Sequence, residues 1–312
     1  MKHEFLDLLV CPECQGQLSV KMPEMAGGDV IGGQLACDAS HSFEIIRGIP
    51  RFVSTDGYAA NFGFEWNLHS TTQLDTETMR ESEETFIAKT GFTPGELRGK
   101  LVLDVGCGMG RFSDVASRWG ARVVGVDLTS AIDAAQRNLA TRRSVNLAQA
   151  DIFKLPFAAA TFDYVFSIGV LHHTPNTRAA FDLLPPLVKP GGKIAIWVYS
   201  STLRKWSWSS DAYRHLTTRL PKRMLHRLCQ VSKPLYYLDK LPVVGRVSWV
   251  LLPVSLHPNP DWRVLDTFDW YSPKYQWKHS EAELKNWFER HGLVELRTLG
   301  SRASMQGTRV SG

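Results

Sequence analysis

The stretch Leu101-Val102-Leu103-Asp104-Val105-Gly106-Cys107-Gly108-Met109-Gly110 joins an apolar run to a glycine-rich turn. The apolar run is typical of a buried strand, and the glycines let the backbone turn sharply and let a ligand approach the main chain. The dinucleotide pattern G-x-G-x-x-G would need a small residue at position 111, which is Arg111. The stretch therefore predicts a ligand-binding strand, turn and helix, and it counts against a nicotinamide or flavin cofactor.

Outward from this stretch, short β-branched runs alternate with amphipathic segments, which predicts βαβ units and a largely parallel sheet. Ser280 and Glu283 predict a capping box at the start of a late helix. The predicted strands are 101–105, 122–127, 145–150, 162–168, 193–198, 293–299 and 304–310. The predicted helices are about 110–119, 129–141, 178–188 and 280–291. The predicted fold class is therefore α/β, a doubly wound, seven-stranded, mostly parallel Rossmann-like sheet.

Three aspartates lie in or directly after predicted strands. Asp104 is in the first strand, Asp127 ends the second, 17 residues beyond Gly110, and Asp151 follows the third. Ligands of open α/β sheets bind at the carboxyl ends of the strands, so these carboxylates should face one crevice. Asp127 lies where it can accept hydrogen bonds from ribose hydroxyls. The alternative is that each aspartate caps a helix, a common role at such turns.

These motifs, with Phe162-Asp163-Tyr164-Val165-Phe166-Ser167-Ile168-Gly169-Val170-Leu171-His172-His173, resemble class I S-adenosylmethionine-dependent methyltransferases of the small-molecule, ubiquinone-methyltransferase-like type. The resemblance covers residues 97 to 200, and in outline the segment to 310. It implies that the glycines border the methionine portion of the cofactor, that Asp127 binds the ribose, and that Asp151 with Ile152 holds the adenine. The implied cofactor-binding residues are Asp104, Gly106, Gly108, Gly110, Asp127, Asp151, Ile152 and Ser167.

His172 and His173 are the candidate catalytic residues, because they follow the strand that would end beside the methyl donor. An activated methyl donor leaves the protein to align the reactants and, for an alcohol acceptor, to remove a proton. Imidazole is suited to that task near neutral pH. His173 is the preferred base. The alternative is that both histidines only line the pocket or cap the turn before Pro175.

Cysteines near the N-terminus predict a metal site. Cys11-Pro12-Glu13-Cys14 and Cys37-x3-His41 supply three thiolates and one imidazole, a full tetrahedral zinc shell without an open position, so the site would be structural. Residues 5–54 resemble the zinc-ribbon activator proteins of tRNA methyltransferases, which usually carry a fourth cysteine where Ser40 stands. The ligand set is also similar to the ribbon of bacterial ribosomal RNA guanine methyltransferases, which implies that RNA remains a candidate substrate.

The alternation of strands and helices is interrupted by residues 200–272. Between 200 and 250 there are ten Lys or Arg residues, Arg204, Lys205 and Arg246 among them, against two aspartates, with interleaved aromatics that include Trp206 and Trp208. Such a segment can bind RNA, an anionic or lipid-linked acceptor, or the surface of an anionic membrane, or it can form a helical lid. Tyr199, Trp270 and Tyr271 are expected near the acceptor pocket.

Composition excludes several classes of protein. The 312 residues are 44% hydrophobic and 21% charged, which fits neither disorder nor a collagen-like repeat. The longest uncharged stretches reach 14 residues, too short to span a membrane, and Glu4 and Asp7 interrupt the start, where a signal peptide would be apolar. Five cysteines, an odd number, do not describe a disulfide scaffold, so we expect a cytoplasmic protein.

The sequence thus predicts a zinc ribbon (1–54), a connecting arm (55–96) and a methyltransferase domain (97–312) with a lid insertion (200–272). The predicted activity is methyl transfer from S-adenosyl-L-methionine to a small molecule such as a sugar, a lipid-linked intermediate or a secondary metabolite. The segment after Phe162 lacks the N/D-P-P-Y tetrad of base-amino methyltransferases. Two alternatives remain, an rRNA or tRNA methyltransferase and a non-catalytic, cofactor-binding activator of a partner.

Overall fold

One twisted sheet runs through the computed structural model, which describes residues 1–202 and 208–310, with Trp208 and Arg246 described by their backbone alone. Its order is β1-β2-β3-β4-β7-β6-β5-β8-β9-β11-β10. The strands are β1 Ser19–Ala26, β2 Asp29–Ala36, β3 Ser42–Ile46, β4 Ile49–Arg51, β5 Leu101–Val105, β6 Arg122–Asp127, β7 Val145–Gln149, β8 Phe162–Ile168, β9 Val188–Trp197, β10 Leu293–Thr298 and β11 Ser304–Arg309.

The centre of the sheet is parallel and buried. Strands β7, β6, β5, β8 and β9 pair in parallel, and β11 joins β9 antiparallel. Every residue of β5 is buried, as the continuous apolar run predicts for a strand covered on both faces. This order confirms the Rossmann-like, largely parallel sheet, and it brings the carboxyl ends of β5, β6 and β8 to one edge.

The predicted strand count of seven is smaller than the eleven strands found in the described residues. The seven predicted strands are present, but β1 to β4 extend the same sheet because β4 pairs in parallel with β7 through Arg51 and Gln149. The Arg51 guanidinium also donates to the side chains of Gln149 at 2.9 Å and Asp133 at 2.6 Å. Phe5 and Leu35 belong to the same apolar core as the central strands. The N-terminal segment is thus packed onto the sheet.

Helices cover both faces of the sheet and one of its edges. The predicted helix 178–188 is wrong in its extent, because Pro185 and Pro186 end the α-helical pattern and leave a 3-10 turn over Pro185–Leu187. The capping box of Ser280 and Glu283 is present. The helices are α1 His3–Leu6, α2 Ala60–Leu68, α3 Glu81–Thr90, α4 Pro94–Leu97, α5 Arg111–Arg118, α6 Ala131–Asn138, α7 Thr177–Asp182, α8 Trp208–Thr217, α9 Lys222–Cys229, α10 Ser232–Asp239, α11 Val244–Leu251, α12 Pro260–Tyr271 and α13 Glu281–Arg290.

Residues 208–271 form five helices, which we call the lid. Helix α12 is the centre of the lid and packs against α8, α9 and α10. It also packs against α2, where Phe64 lies 5.9 Å from Phe268, ring centroid to ring centroid. The lid therefore meets the segment 55–96 above the carboxyl edge of the sheet. Among the described residues, no helix has the length and apolar character that a membrane span requires.

Candidate active site

A cavity of about 780 Å³ lies at the carboxyl ends of β5, β6, β8 and β9. Its walls come from three parts of the chain, namely the strand ends, the segment 55–96 and the lid. Ligand cavities in proteins are typically about 300–1,000 Å³, so this one has room for a nucleotide-sized cofactor together with a small second ligand. We call the part lined by Gly106, Gly108 and Asp127 the strand-end half. The part lined by Lys89, Arg111, Asp266 and Asp269 is called the charged half.

The glycine turn forms the floor of the strand-end half. Gly106, Gly108 and Gly110 have φ values of +80°, +53° and +90°, which side chains other than glycine rarely adopt. A Cβ atom on Gly106 would lie 2.3 Å from the Val170 side chain. Gly106 and Gly108 line the cavity, whereas Gly110 packs against Leu139 outside it. The turn therefore keeps main-chain atoms open to a ligand at two of the three glycines.

Asp127 ends β6 and faces the same half of the cavity. Its Oδ2 accepts from the Gly108 amide at 2.9 Å, and its Oδ1 accepts from the Thr129 amide at 2.8 Å and the Thr129 hydroxyl at 2.7 Å. Burial raises the pKa of this carboxyl above its usual value. Since each carboxylate oxygen can accept about two hydrogen bonds, Oδ2 keeps one acceptor position for a ligand hydroxyl. Asp127 thus fixes the glycine turn and remains available for binding.

Of the other predicted cofactor residues, one lines the cavity and three make hydrogen bonds that hold the strand ends in place. Ile152 lines the cavity. Asp104 is buried behind the turn, accepts from the Ser113 hydroxyl at 2.7 Å, and has its pKa raised by burial to about 7. Ser167 donates to the Val105 carbonyl at 2.9 Å. Asp151 accepts from the Phe153 amide and caps a 3-10 turn, which is the capping role that the sequence left open. Asp104, Asp151 and Ser167 therefore hold the strand ends in place.

His173 and His172 occupy different environments. His173 lines the cavity, and its Nδ1 lies 2.9 Å from the Tyr275 carbonyl oxygen. Because a carbonyl only accepts, this bond assigns the proton to Nδ1, and burial lowers the pKa of the imidazole, which favours the neutral ring. His172 is fully buried, stacks 4.0 Å from the Tyr199 ring, and has neither nitrogen hydrogen-bonded among the described residues. The structure thus separates one candidate base that lines the cavity from one histidine that is packed away from it.

The charged half contains ionisable side chains that sequence reasoning missed. Lys89 lies with its Nζ 3.3 Å above the centroid of the Trp197 ring and has no carboxylate partner among the described residues. Arg111 donates to the Ser82 hydroxyl at 2.9 Å and to the Gln73 amide oxygen at 3.1 Å. Burial lowers the pKa of Lys89 to about 7 and that of Arg111 to about 10. Lys89 and Arg111 therefore line the cavity, and neither is directly paired with a carboxylate in the part of the chain that the structure describes.

The lid supplies the opposing charges of the charged half. Asp266 accepts from the Ser255 hydroxyl at 3.0 Å, and burial raises its pKa to about 6. Asp269 accepts from the Tyr199 hydroxyl at 2.8 Å, which ties the lid to the residue that follows β9. Both aspartates line the cavity. Their carboxylates raise the pKa of Lys89, which burial and Arg111 lower, so the four groups form one electrostatic set.

Aromatic side chains enclose the cavity. Tyr199 and Trp270 line it, as expected, whereas Tyr271 does not, because its hydroxyl donates to the Pro253 carbonyl within the core of the lid. Tyr58, Phe62 and Trp66 also line the cavity, although their segment was predicted as a connecting arm. The sequence feature that could have indicated this role is the set of aromatic residues in an otherwise polar stretch. Of the predicted basic, aromatic set, Arg204, Lys205, Trp206 and the side chains of Trp208 and Arg246 lie outside the described residues.

The predicted metal ligands form one cluster, distant in sequence from the cavity residues. Cys11, Cys14, Cys37 and His41 each offer a ligand atom, and these atoms lie within 4.8 Å of one another. The Cys14 and Cys37 sulfurs are 3.7 Å apart, and the His41 Nδ1 lies 3.5 Å from the Cys11 sulfur and 3.4 Å from the Cys37 sulfur. Tetrahedral zinc with bonds of about 2.3 Å to sulfur and 2.0–2.1 Å to nitrogen requires separations of roughly 3.5–3.8 Å. The donor set therefore fits one tetrahedral ion.

Comparison with known proteins shows that the glycine turn and the strands around it are similar to a methyltransferase domain. Residues 103–196 match the family model described as a methyltransferase domain. The chain is 30% identical to a ubiquinone biosynthesis O-methyltransferase of Coxiella burnetii over 140 residues, 44% of this chain and 59% of the relative. It is 29% identical to the protein of the same name from Cronobacter sakazakii over 171 residues, 53% of this chain and 68% of that relative. The chain thus spans about three fifths of the length of the first of these relatives.

Solved structures include magnesium protoporphyrin IX methyltransferase from Synechocystis PCC 6803 with bound S-adenosylhomocysteine. It is 17% identical, covers 81% of this chain and 96% of its own, and has a TM-score of 0.46, too low to carry an argument here. The family match and the named relatives support the predicted class, a domain of the S-adenosylmethionine-dependent methyltransferases with relatives named for a small-molecule acceptor.

Proposed function

We propose that this protein transfers a methyl group from S-adenosylmethionine to a small-molecule acceptor that carries an acidic group. The observation that carries the proposal is a single cavity in which Gly106, Gly108 and Asp127 share space with His173, Lys89 and Arg111. One part of this cavity has the residues expected for the cofactor, and the rest includes a candidate base, Lys89 and Arg111. A methyltransferase needs both parts within reach of one another.

In the strand-end half, the donor would be held by the glycine turn, Asp127 and Ile152. The bound donor supplies an activated sulfonium methyl group, so the protein has to align the acceptor with it and to exclude water. Asp127 would accept a hydrogen bond from a ribose hydroxyl, and Ile152 would pack on the adenine. Asp104, Gly110, Asp151 and Ser167 act through the backbone that they fix rather than by contact.

His173 is the proposed general base for a hydroxyl acceptor. With its Nδ1 proton engaged by the Tyr275 carbonyl, the neutral ring presents Nε2 as the acceptor of the hydroxyl proton. The lowered pKa keeps the ring neutral, and so able to take a proton, at physiological pH. His172 is proposed as a positioning residue, since its ring lies 4.1 Å from that of His173 and stacks on Tyr199.

The acidic group of the acceptor is inferred from Lys89 and Arg111. A cation that lies in a partly desolvated cavity without a paired carboxylate is stabilised by a ligand anion, and a charged hydrogen bond of this kind contributes about 1.5–3 kcal/mol. Asp266 and Asp269 lie on the lid side of the same cavity and would repel an anion there. An anionic group is therefore directed toward Lys89 and Arg111, which orients the rest of the acceptor.

We also propose that Cys11, Cys14, Cys37 and His41 bind a structural zinc ion. Four protein ligands would leave no coordination position for water, so the ion would stabilise the ribbon and take no part in methyl transfer. This assignment supports the division of the chain into a ribbon (1–54), a segment that helps to enclose the cavity (55–96) and a methyltransferase domain (97–312) with the insertion 200–272.

The proposal is tested by methyl transfer from labelled donor into a cell extract, followed by separation of small molecules from RNA. We expect the purified protein to label the small-molecule fraction and an anion-exchange resin to retain the labelled product. The matched control is Gly106→Val, which should remove labelling because the added side chain would fill the glycine turn. Label confined to RNA would favour the RNA methyltransferase, and cofactor binding without any labelling would favour the non-catalytic activator.

A further inference from the structure

Exposed apolar side chains are concentrated in the lid. More than half of the large apolar side chains that are exposed in the described residues lie between Tyr213 and Leu256. The densest group is at the hairpin formed by α10 and α11, residues 237–251, which we call the lid tip. Its exposed apolar residues are Tyr237, Leu238, Leu241, Val243, Val244, Val247 and Leu251. A monomer rarely leaves such a contiguous apolar surface to water without a partner.

Helix α11 turns an apolar face outward. Val244, Val247 and Leu251 follow a spacing of three and four residues, so they share one side of the helix, and each is 51–55% exposed. Trp249 lies on the opposite side and lines the cavity. Val243, just before the helix, is 75% exposed. The outward face is therefore not the one that the lid uses to cover the cavity.

The charge around the lid tip is positive. Lys240 is exposed within the tip, and the exposed side chains of Arg219, Arg223 and Arg227 lie on or before α9, which packs against the same helix, α12, as α10 does. On α9 the exposed apolar residues Met224 and Leu228 directly follow two of these arginines. Asp239, the acidic residue within the tip, has both carboxylate oxygens buried. The exposed side chains of the described lid residues are therefore mainly apolar and basic.

We propose that the lid tip seats this protein on the surface of an anionic lipid bilayer. Apolar side chains that enter the interface are stabilised because they leave water, and nearby Lys or Arg side chains are attracted to anionic lipid. Binding would be interfacial, since none of the described helices can span a membrane. A second copy of the chain is disfavoured because it would bring the same positive charges together, and aliphatic Val and Leu side chains do not stack on RNA bases as aromatics do.

The test is flotation of the full-length protein with vesicles of phosphatidylcholine alone or of phosphatidylcholine mixed equally with phosphatidylglycerol. We expect wild type to float with the mixed vesicles, and salt to weaken this binding. The double variant Val243→Asp/Val247→Asp should bind at least tenfold more weakly, about 1.4 kcal/mol or more. The control Val294→Asp/Val310→Asp changes two exposed valines outside the lid and should bind like wild type.

Retained binding of S-adenosylhomocysteine and an unchanged melting temperature would establish that the tip variant is folded. The proposal is overturned if wild type ignores the mixed vesicles, or if the folded tip variant floats as wild type does. It is also overturned if wild type self-associates in solution and the tip variant does not, or if the tip residues are needed for RNA binding while vesicles are ignored. Vesicle binding is measured without an acceptor. Failure of the membrane proposal can therefore be distinguished from failure of the proposed methyl transfer.

Discussion

The two halves of the cavity are built in different ways. The strand-end half depends on main-chain geometry, since consecutive strands deliver Gly106, Gly108 and Asp127 to one edge of the sheet. The charged half depends on side chains from distant segments, with Lys89 on α3, Arg111 on α5 and Asp266 and Asp269 on α12. Under the proposed function, the cofactor would be held by a fixed backbone, whereas the acceptor would be selected by side chains that α3, α5 and α12 supply. Each half should therefore respond to substitution in its own way.

The largest expected effect concerns the ribbon that supports the strand-end half. The ribbon meets the loop that carries Ile152, through the Val10 amide and Pro156 carbonyl and through Glu13 and Lys154. Zinc binding contributes on the order of 10–16 kcal/mol to small zinc domains. Cys37→Ser should therefore remove the metal, lower the melting temperature and weaken binding of S-adenosylhomocysteine, as measured by elemental analysis, calorimetry and titration. Cys229→Ser, in the core of the lid, should keep the metal. Equal metal content in both variants would contradict the assignment.

Loss of the base is expected to affect the rate of methyl transfer and to spare cofactor binding. His173→Gln should lower kcat by about 10²- to 10⁴-fold for a hydroxyl acceptor, the usual range for general-base catalysis. Since burial lowers the pKa of His173, activity should fall only as the pH drops below the ordinary imidazole range, because the protonated ring cannot accept a proton. The measurement is the pH dependence of kcat/KM. If His173→Gln has the kcat of wild type and loses activity at low pH as wild type does, His173 is not the general base.

A substitution in the glycine turn should, in contrast, weaken cofactor binding. Gly106→Ala adds a Cβ atom 2.3 Å from Val170 at a residue with φ of +80°, so we expect affinity for S-adenosylhomocysteine to fall by about tenfold or more. Gly99→Ala is the matched control, because its φ is +73° and nothing lies within 4 Å of the added atom. Both variants carry backbone strain, but only Gly106→Ala should weaken binding. Equal losses in calorimetric titration would attribute the effect to strain alone.

The smallest effect is expected at Lys89. Lys89→Gln should raise the KM for the acceptor by about tenfold, the low end for a charged hydrogen bond, and leave affinity for S-adenosylhomocysteine unchanged. Because the pKa of Lys89 is lowered to about 7, acceptor binding should weaken in wild type as the pH rises through that value and the ammonium loses its proton. Lys285→Gln, on the exposed face of α13, is the control. An equal loss of cofactor affinity would assign Lys89 to the donor.

The sequence predicted the strand-end half far better than the charged half, for a physical reason. Strand ends and glycine turns are local, so an apolar run followed by Gly106, Gly108 and Asp127 indicates both the elements and the edge where they meet. Lys89 and Asp266 are separated by long stretches of chain, and no local pattern indicates that their side chains share a cavity. Tyr271 illustrates the same limit, because its neighbour Trp270 faces the cavity and it does not.

The extent of the sheet was also beyond local reasoning. Strands β1 to β4 carry the alternation of an independent ribbon, and the pairing of Arg51 with Gln149 joins them to the central strands. That pairing depends on tertiary packing, which includes the ion pair of Arg51 with Asp133. The predicted helix 178–188 was wrong in its extent for a reason visible in the sequence, since two consecutive prolines cannot continue a helix.

The most direct test of the account is calorimetric titration of S-adenosylhomocysteine into wild type and Asp127→Asn. We predict one site per chain for wild type and an affinity lower by about 10- to 150-fold for the variant, since a charged acceptor of hydroxyl hydrogen bonds is removed. Asp182→Asn, a surface change on α7, should bind as wild type does. An absence of binding by wild type, or equal affinities for wild type and Asp127→Asn, would contradict the placement of the cofactor at the strand ends.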